Sequence, residues 1–143
     1  MKVIWRTIPL TRSWLLRFKM TAEFNAEQFT RKLCQNMNLE VCGSFRAGSF
    51  DFPEGWKTLV LIMLKSMRGC NVQIFTIRND YGMLDVRMVA EPESELTVYR
   101  AILVYQQWAS IICERCSARG SKIILGGKVQ VLCSDCMEKA KEE

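Results

Sequence analysis

Apolar residues recur along this chain with two periods, and the switches between them mark its elements. After Asn25, the residues Phe29, Leu33 and Met37 fall on one face of a helical spiral. Asn25 reads as its N-cap, Gln28 stands three residues on as a capping box requires, and Phe24 and Phe29 are placed as a hydrophobic staple. This helix is predicted to run to about Asn36, with a strand from Leu39 to Phe45 behind it. Asp51, Pro53 and Gly55 signal a turn. From Trp56 to Met67 the apolar run is too dense to show a period, so a buried helix and a buried strand both fit. Its length and its Leu, Met and Lys content favour the helix, closed by Arg68-Gly69.

Asn71 to Arg78 and Met83 to Ala90 are strand-like, and Asn79, Asp80 and Gly82 join them as a hairpin. Glu93 to Ile112 is the longest predicted helix, preceded by Pro92 and acidic in its first turn as the helix dipole prefers. Val98, Ile102, Tyr105, Ala109 and Ile112 form one stripe, and Leu96, Tyr99 and Leu103 form a second beside it. So broad an apolar surface predicts burial against a sheet. Lys122–Leu125 and Lys128–Leu132 read as short strands around Gly126-Gly127, which can take the positive φ angles of a tight hairpin. The residues after Cys136 favour helix.

The expected fold is therefore α+β, with helices packed on a small antiparallel sheet and a zinc finger at the C-terminal end. Residues 1–20 stand apart as a basic N-terminal extension, residues 21–112 form the α+β core, and residues 113–143 form the finger. Within the extension, Val3 to Ile8 reads as a strand, Pro9 as a turn, and the residues after Thr11 as a short helix. A well-formed helix entry follows Met20, which could equally serve as the initiation site.

The finger rests on cysteine spacing. Cys113-Glu-Arg-Cys116 is followed after sixteen residues by Cys133-Ser-Asp-Cys136. Two residues between thiolates let both sulfurs reach one metal from a tight knuckle, and two knuckles complete a tetrahedral shell. Knuckle, hairpin, then a helix carrying the second pair is the treble-clef order. Four cysteines close the shell, whereas a catalytic zinc keeps a position open for water. One structural Zn²⁺ on Cys113, Cys116, Cys133 and Cys136 is expected; Glu114 and Asp135 lie next to ligands and could support them, but read better as solvated surface acids.

Composition then removes alternatives. The chain has no histidine, which excludes Ser-His-Asp and Cys-His catalysis and every imidazole-ligated zinc site. No Gly-rich phosphate loop or compelling carboxylate pair is present, so no enzyme is expected. The net charge of +5 sits in Lys2, Arg6, Arg12, Arg17 and Lys19, so the remaining basic residues balance the acidic ones. A nucleic-acid-binding regulator stays as the alternative, because treble clefs often bind DNA or RNA, but the charge does not argue for it. The longest apolar run, Leu59 to Leu64, is six residues, far short of the roughly 20 that span a membrane. No secretory signal is legible, and Cys34, Cys42 and Cys70 are scattered and odd in number. A reduced cytoplasm, bacterial or of a bacterial host, is expected.

The order of motifs carries a resemblance. Gly55-Trp56 leads an apolar helix, Ile74 to Val86 forms a hairpin around Tyr81-Gly82, and Cys113-Glu-Arg-Cys116 is answered by Leu132-Cys133-Ser-Asp-Cys136. This resembles a family of small phage, prophage and bacterial proteins with a Gly-Trp helix, a β-hairpin and a C-terminal cysteine finger. Ser117 departs from it, standing where that family usually has glycine. The finger is also similar to those of GATA-type factors and DksA/TraR regulators, without their basic final helix or long coiled coil respectively. The resemblance implies a non-enzymatic, zinc-stabilised protein-interaction module: a mobile-element accessory protein that binds a host protein, an inhibitor of host defence being one case.

Overall fold

The computed structural model describes residues 23–41 and 49–143. Helix α1 spans Ala26–Asn36 and begins as its capping signals predict. The Gln28 backbone N–H donates to Asn25 Oδ1 at 3.0 Å. The Phe24 and Phe29 rings meet at 5.5 Å, and both also touch Phe52. The staple thus joins a third aromatic from further along the chain and seats α1 on the core.

The chain then supplies two short strands, β1 (Glu40–Val41) and β2 (Phe50–Asp51). A single 3₁₀ turn at Glu54–Trp56 leads into α2 (Lys57–Ser66), which buries Leu59, Val60, Met63 and Leu64. The dense apolar run is therefore a helix. Strand β3 (Val72–Asp80) turns at Tyr81-Gly82 into β4 (Met83–Ala90), and the two pair antiparallel from Val72↔Ala90 to Asp80↔Met83.

The sheet is mixed rather than antiparallel. β1 and β2 both run parallel to β3, at Glu40↔Gln73 and Phe50↔Ile77 respectively. Since β4 fills one edge of β3, the two short strands share the other. The physical reason lies in the connection: β2, α2 and β3 form a crossover unit, which returns the chain parallel, whereas a tight turn would return it antiparallel. The turn signals at Asp51 and Pro53 concealed a two-residue strand. The strand expected over Leu39–Phe45 is seen at Glu40–Val41. Its remainder from residue 42, like residues 1–20, lies outside the described residues.

Helix α3 spans Glu95–Ala109, shorter at both ends than the expected Glu93–Ile112. Its first stripe packs as predicted: Val98 and Ala109 are buried, and Ile102, Tyr105 and Ile112 are partly buried on the same core. Gln106 Nε2 ties it to β4 by donating to Leu84 O at 3.0 Å. The second stripe is not covered. Leu96 and Tyr99 are each 60% exposed and Leu103 is 42% exposed. Sheet and α2 meet α3 from one side only, so a helix apolar on most of its circumference keeps its far side bare.

Beyond α3 comes a knuckle, then β5 (Ser121–Leu125), β6 (Lys128–Leu132) and α4 (Ser134–Lys141). Gly126 and Gly127 take φ of 60° and 78°, the left-handed pair that a two-residue hairpin turn requires. Cys113, Leu132, Cys136 and Ala140 form a small second core. Val131 of β6, however, belongs to the main core, so the C-terminal unit shares its interior with the rest. No helix among the described residues is long and apolar enough to cross a membrane.

Candidate metal centre

The four predicted ligands converge. The sulfurs of Cys113, Cys116, Cys133 and Cys136 all lie within 4.8 Å of one another. Cys116 and Cys133 are separated by 3.5 Å between sulfurs, well beyond a disulfide bond. A tetrahedral shell with Zn–S near about 2.3 Å would place its sulfurs about 3.8 Å apart. The donor set and the spacing therefore fit a metal ion.

Local structure explains the convergence. Cys113 follows the end of α3, and its N–H donates to Ala118 O at 2.7 Å, folding the knuckle back on itself. The Arg115 N–H points at Cys113 Sγ at 3.4 Å. Cys133 is the N-cap of α4, and the Cys136 N–H approaches its sulfur at 3.4 Å. Such N–H groups, together with the positive end of the helix, favour thiolate over thiol. Burial raises the Cys113 thiol, but surrounding N–H groups and its thiol neighbour outweigh it and bring it down to about 6. Burial and the neighbouring thiols push Cys136 up to about 12. Cys113 ionises readily and Cys136 then resists, which is how crowded thiols behave until a cation neutralises them.

The surroundings fasten this cluster to the domain. Gly55 N–H donates to Glu114 O at 2.9 Å, and Ser117 Oγ donates to Gly55 O at 2.6 Å. A Cβ on Gly55 would lie 2.3 Å from Cys113 O, so only glycine allows this approach. Trp56 is fully buried and its indole N–H donates to Ile112 O at 3.0 Å. The Gly-Trp pair noted in the sequence is thus the seat of the knuckle. Ser117 occupies a left-handed conformation, φ 73°, which explains why glycine would suit the position.

Glu114 corrects the sequence reading. It is not a solvated acid: it is only 9% exposed and bridges three segments. Its Oε2 accepts from Val131 N at 2.8 Å and its Oε1 from Asn79 Nδ2 at 2.9 Å. Asn79 Oδ1 in turn accepts from Gly82 N at 2.8 Å. Burial raises the Glu114 carboxyl above its ordinary value, against the hydrogen bonds from Val131 and Asn79. Asp135 is exposed, as expected. The only signal for Glu114 was its place between two ligands, and nothing there distinguishes a buried acid from a free one. Comparison of the chain with protein-family models, with curated proteins and with solved structures found no match.

Proposed function

We propose that Cys113, Cys116, Cys133 and Cys136 hold one structural Zn²⁺ in a treble-clef-like finger, and that the chain is a non-enzymatic protein-interaction module. Four thiolates leave no ligand position for water, and the ion's work is to fix the β5–β6 hairpin against the core.

The carrying observation is what that fixation displays. A side chain at Gly82 would meet Val129 at 3.3 Å, so the β3–β4 tip lies against β6. Val129 pairs with Ile124 across the finger hairpin. Tyr81, Met83 and Ile124 thereby stand near one junction, exposed by 73%, 59% and 75%. Apolar side chains presented on two rigid hairpins suit a protein partner. Among the finger's bases, Arg115 pairs with Glu143 and Lys141 with Glu138, so part of its positive charge is already neutralised. The motif order that resembles phage and prophage proteins makes a bacterial host protein the expected partner, in keeping with a mobile-element accessory role in the cytoplasm.

The test is affinity capture from nuclease-treated bacterial lysate with zinc-loaded protein, beside a Tyr81→Ala/Ile124→Lys variant. One stoichiometric protein, captured by the native chain and lost with the variant, supports the reading. Capture of nucleic acid alone, abolished by nuclease, overturns it in favour of a nucleic-acid-binding regulator.

A further inference from the structure

Strand β4 is an open edge of the sheet. Among the described residues it pairs with β3 alone. The two-residue turn at Tyr81-Gly82 closes on the hydrogen-bonded pair Asp80↔Met83, and the alternation of an antiparallel ladder then sets every later residue. The extra residue of the one register shift lies on β3, between Ile74 and Thr76, so β4 keeps its alternation. Met83, Asp85, Arg87 and Val89 turn their backbone groups toward β3, while Leu84, Val86, Met88 and Ala90 turn theirs away. Two bonds agree with this assignment. Leu84 O, on the outer side, accepts from Gln106 Nε2 at 3.0 Å, and Glu91 N, on the inner side, donates to Asn71 O at 3.0 Å. Gln106 thus closes one point of the edge. The outward N–H and C=O groups of Val86, Met88 and Ala90 bond to no group among the described residues.

We propose that this edge takes an extended segment of a protein partner, added antiparallel to β4 as a further strand and basic at the end that meets Ala90. Unpaired ladder groups are satisfied by another extended backbone, and not by a helix, whose own backbone groups bond internally. From Val86 to Ala90 the open ladder runs about 14 Å at roughly 3.4 Å per residue. An apolar groove of about 520 Å³ lies beside it, with Met88 and Ala90 on one wall and Leu96, Tyr99 and Ile102 of α3 on the other. Side chains on that face of the incoming strand meet apolar surface. Those on the opposite face join Asp85 and Arg87, which pair at 3.6 Å. The site therefore selects a segment that alternates apolar and polar residues.

Charge chooses between occupants. Glu91, Glu93 and Glu95 stand exposed just beyond Ala90, and none enters an ion pair among the described residues. They call for basic residues at the start of an antiparallel segment. A second copy meets this requirement poorly. Paired edge to edge, with Val86 opposite Met88 of the other copy, it would set Met83 against Glu91 and carry the acidic Asp85 toward the same end. The edge begins at Met83, inside the hairpin junction, but its open groups lie further along, so the inference stands whether or not that junction binds anything.

The probe is an end-blocked peptide, Lys-Lys-Val-Thr-Val-Thr-Val, titrated into the zinc-loaded full chain and followed by amide NMR. Saturable shifts at Val86, Met88 and Ala90, with slowed exchange of those amides, are expected. The same peptide N-methylated at alternate residues on the edge-facing side should not bind, because it loses its ladder donors. Glu91→Lys/Glu93→Lys, with unchanged circular dichroism and zinc content, should weaken binding about fivefold at low salt, as two exposed ion pairs would. No shift at these amides up to millimolar peptide would overturn the proposal, as would equal binding by the N-methylated peptide or by the charge-reversed variant. Protection of these amides before any peptide is added would overturn it too. A dimer in sedimentation would then give the edge to a second copy, and a monomer would give it to another segment of the same chain.

Discussion

Trp56 donates its indole N–H to the carbonyl of Ile112, immediately before Cys113, at 3.0 Å. The ring is fully buried in the main core while its polar atom holds the residue next to the first candidate ligand. Trp56→Phe keeps most of the packing and leaves the Ile112 carbonyl unpaired, which costs about 1–3 kcal/mol. Trp56→Ala adds a cavity and should cost about 3–5 kcal/mol. Urea unfolding of the zinc-loaded protein measures both. The Phe variant should also surrender its metal to a competing chelator sooner, since the knuckle loses an anchor while its sulfurs stay intact.

Ser117 tests how far the knuckle depends on one hydrogen bond. Its φ of 73° is a strained conformation for a side-chain-bearing residue, and its hydroxyl donates to Gly55 O at 2.6 Å. Ser117→Gly removes the strain, worth about 1 kcal/mol, and forfeits a bond worth about the same, so it should be nearly neutral. Ser117→Ala forfeits the bond and keeps the strain, and should lose about 1 kcal/mol. Thermal melts of the three proteins should rank the native chain and the Gly variant together, above Ala.

These contacts show where the sequence was legible. Capping at Asn25, the Gly126-Gly127 turn and the cysteine spacing were all readable because each depends on residues a few positions apart. The parallel pairing of Phe50 with Ile77 was not, because a two-residue strand carries no period and its partner lies beyond a helix. Glu114 was misread for a related reason: its partners Asn79 and Val131 come from segments whose proximity only the fold creates. The second stripe of α3 was misjudged because an apolar residue signals a need for cover without saying whether the same chain provides it.

Cys34 should make the protein sensitive to alkali. Its side chain is fully buried on α1, and that burial, against the pull of Arg31, raises the thiol to about 11 from an ordinary value near 9. Between those values the unfolded chain has lost the proton and the folded one keeps it, so folded stability falls as pH climbs from about 9 to about 11 and is unaffected by this group below that window. The loss should reach no more than about 3 kcal/mol. Cys34→Ala, measured beside the native chain with zinc bound, should be weaker at neutral pH by about 1–2 kcal/mol and lack this part of the alkaline decline. Parallel slopes in the two proteins would assign the decline elsewhere.

Metal removal should act through the finger first. Leu132 and Ala140 are buried around Cys113 and Cys136 in a core too small to stand without a cross-link, whereas Val131 is held in the main core. Chelation should therefore release one ion per chain and expose the β5–β6 and α4 amides to hydrogen exchange, while the β3–β4 amides stay protected. Since the bound form requires deprotonated sulfur, acid opposes binding, and release should come more easily as pH falls. Cys136→Ser should mimic chelation at neutral pH, because it removes a ligand at the start of α4 and leaves the main core untouched. Protection factors in α4 equal to those of the native chain, in either the chelated protein or the variant, would mean that packing alone holds the finger.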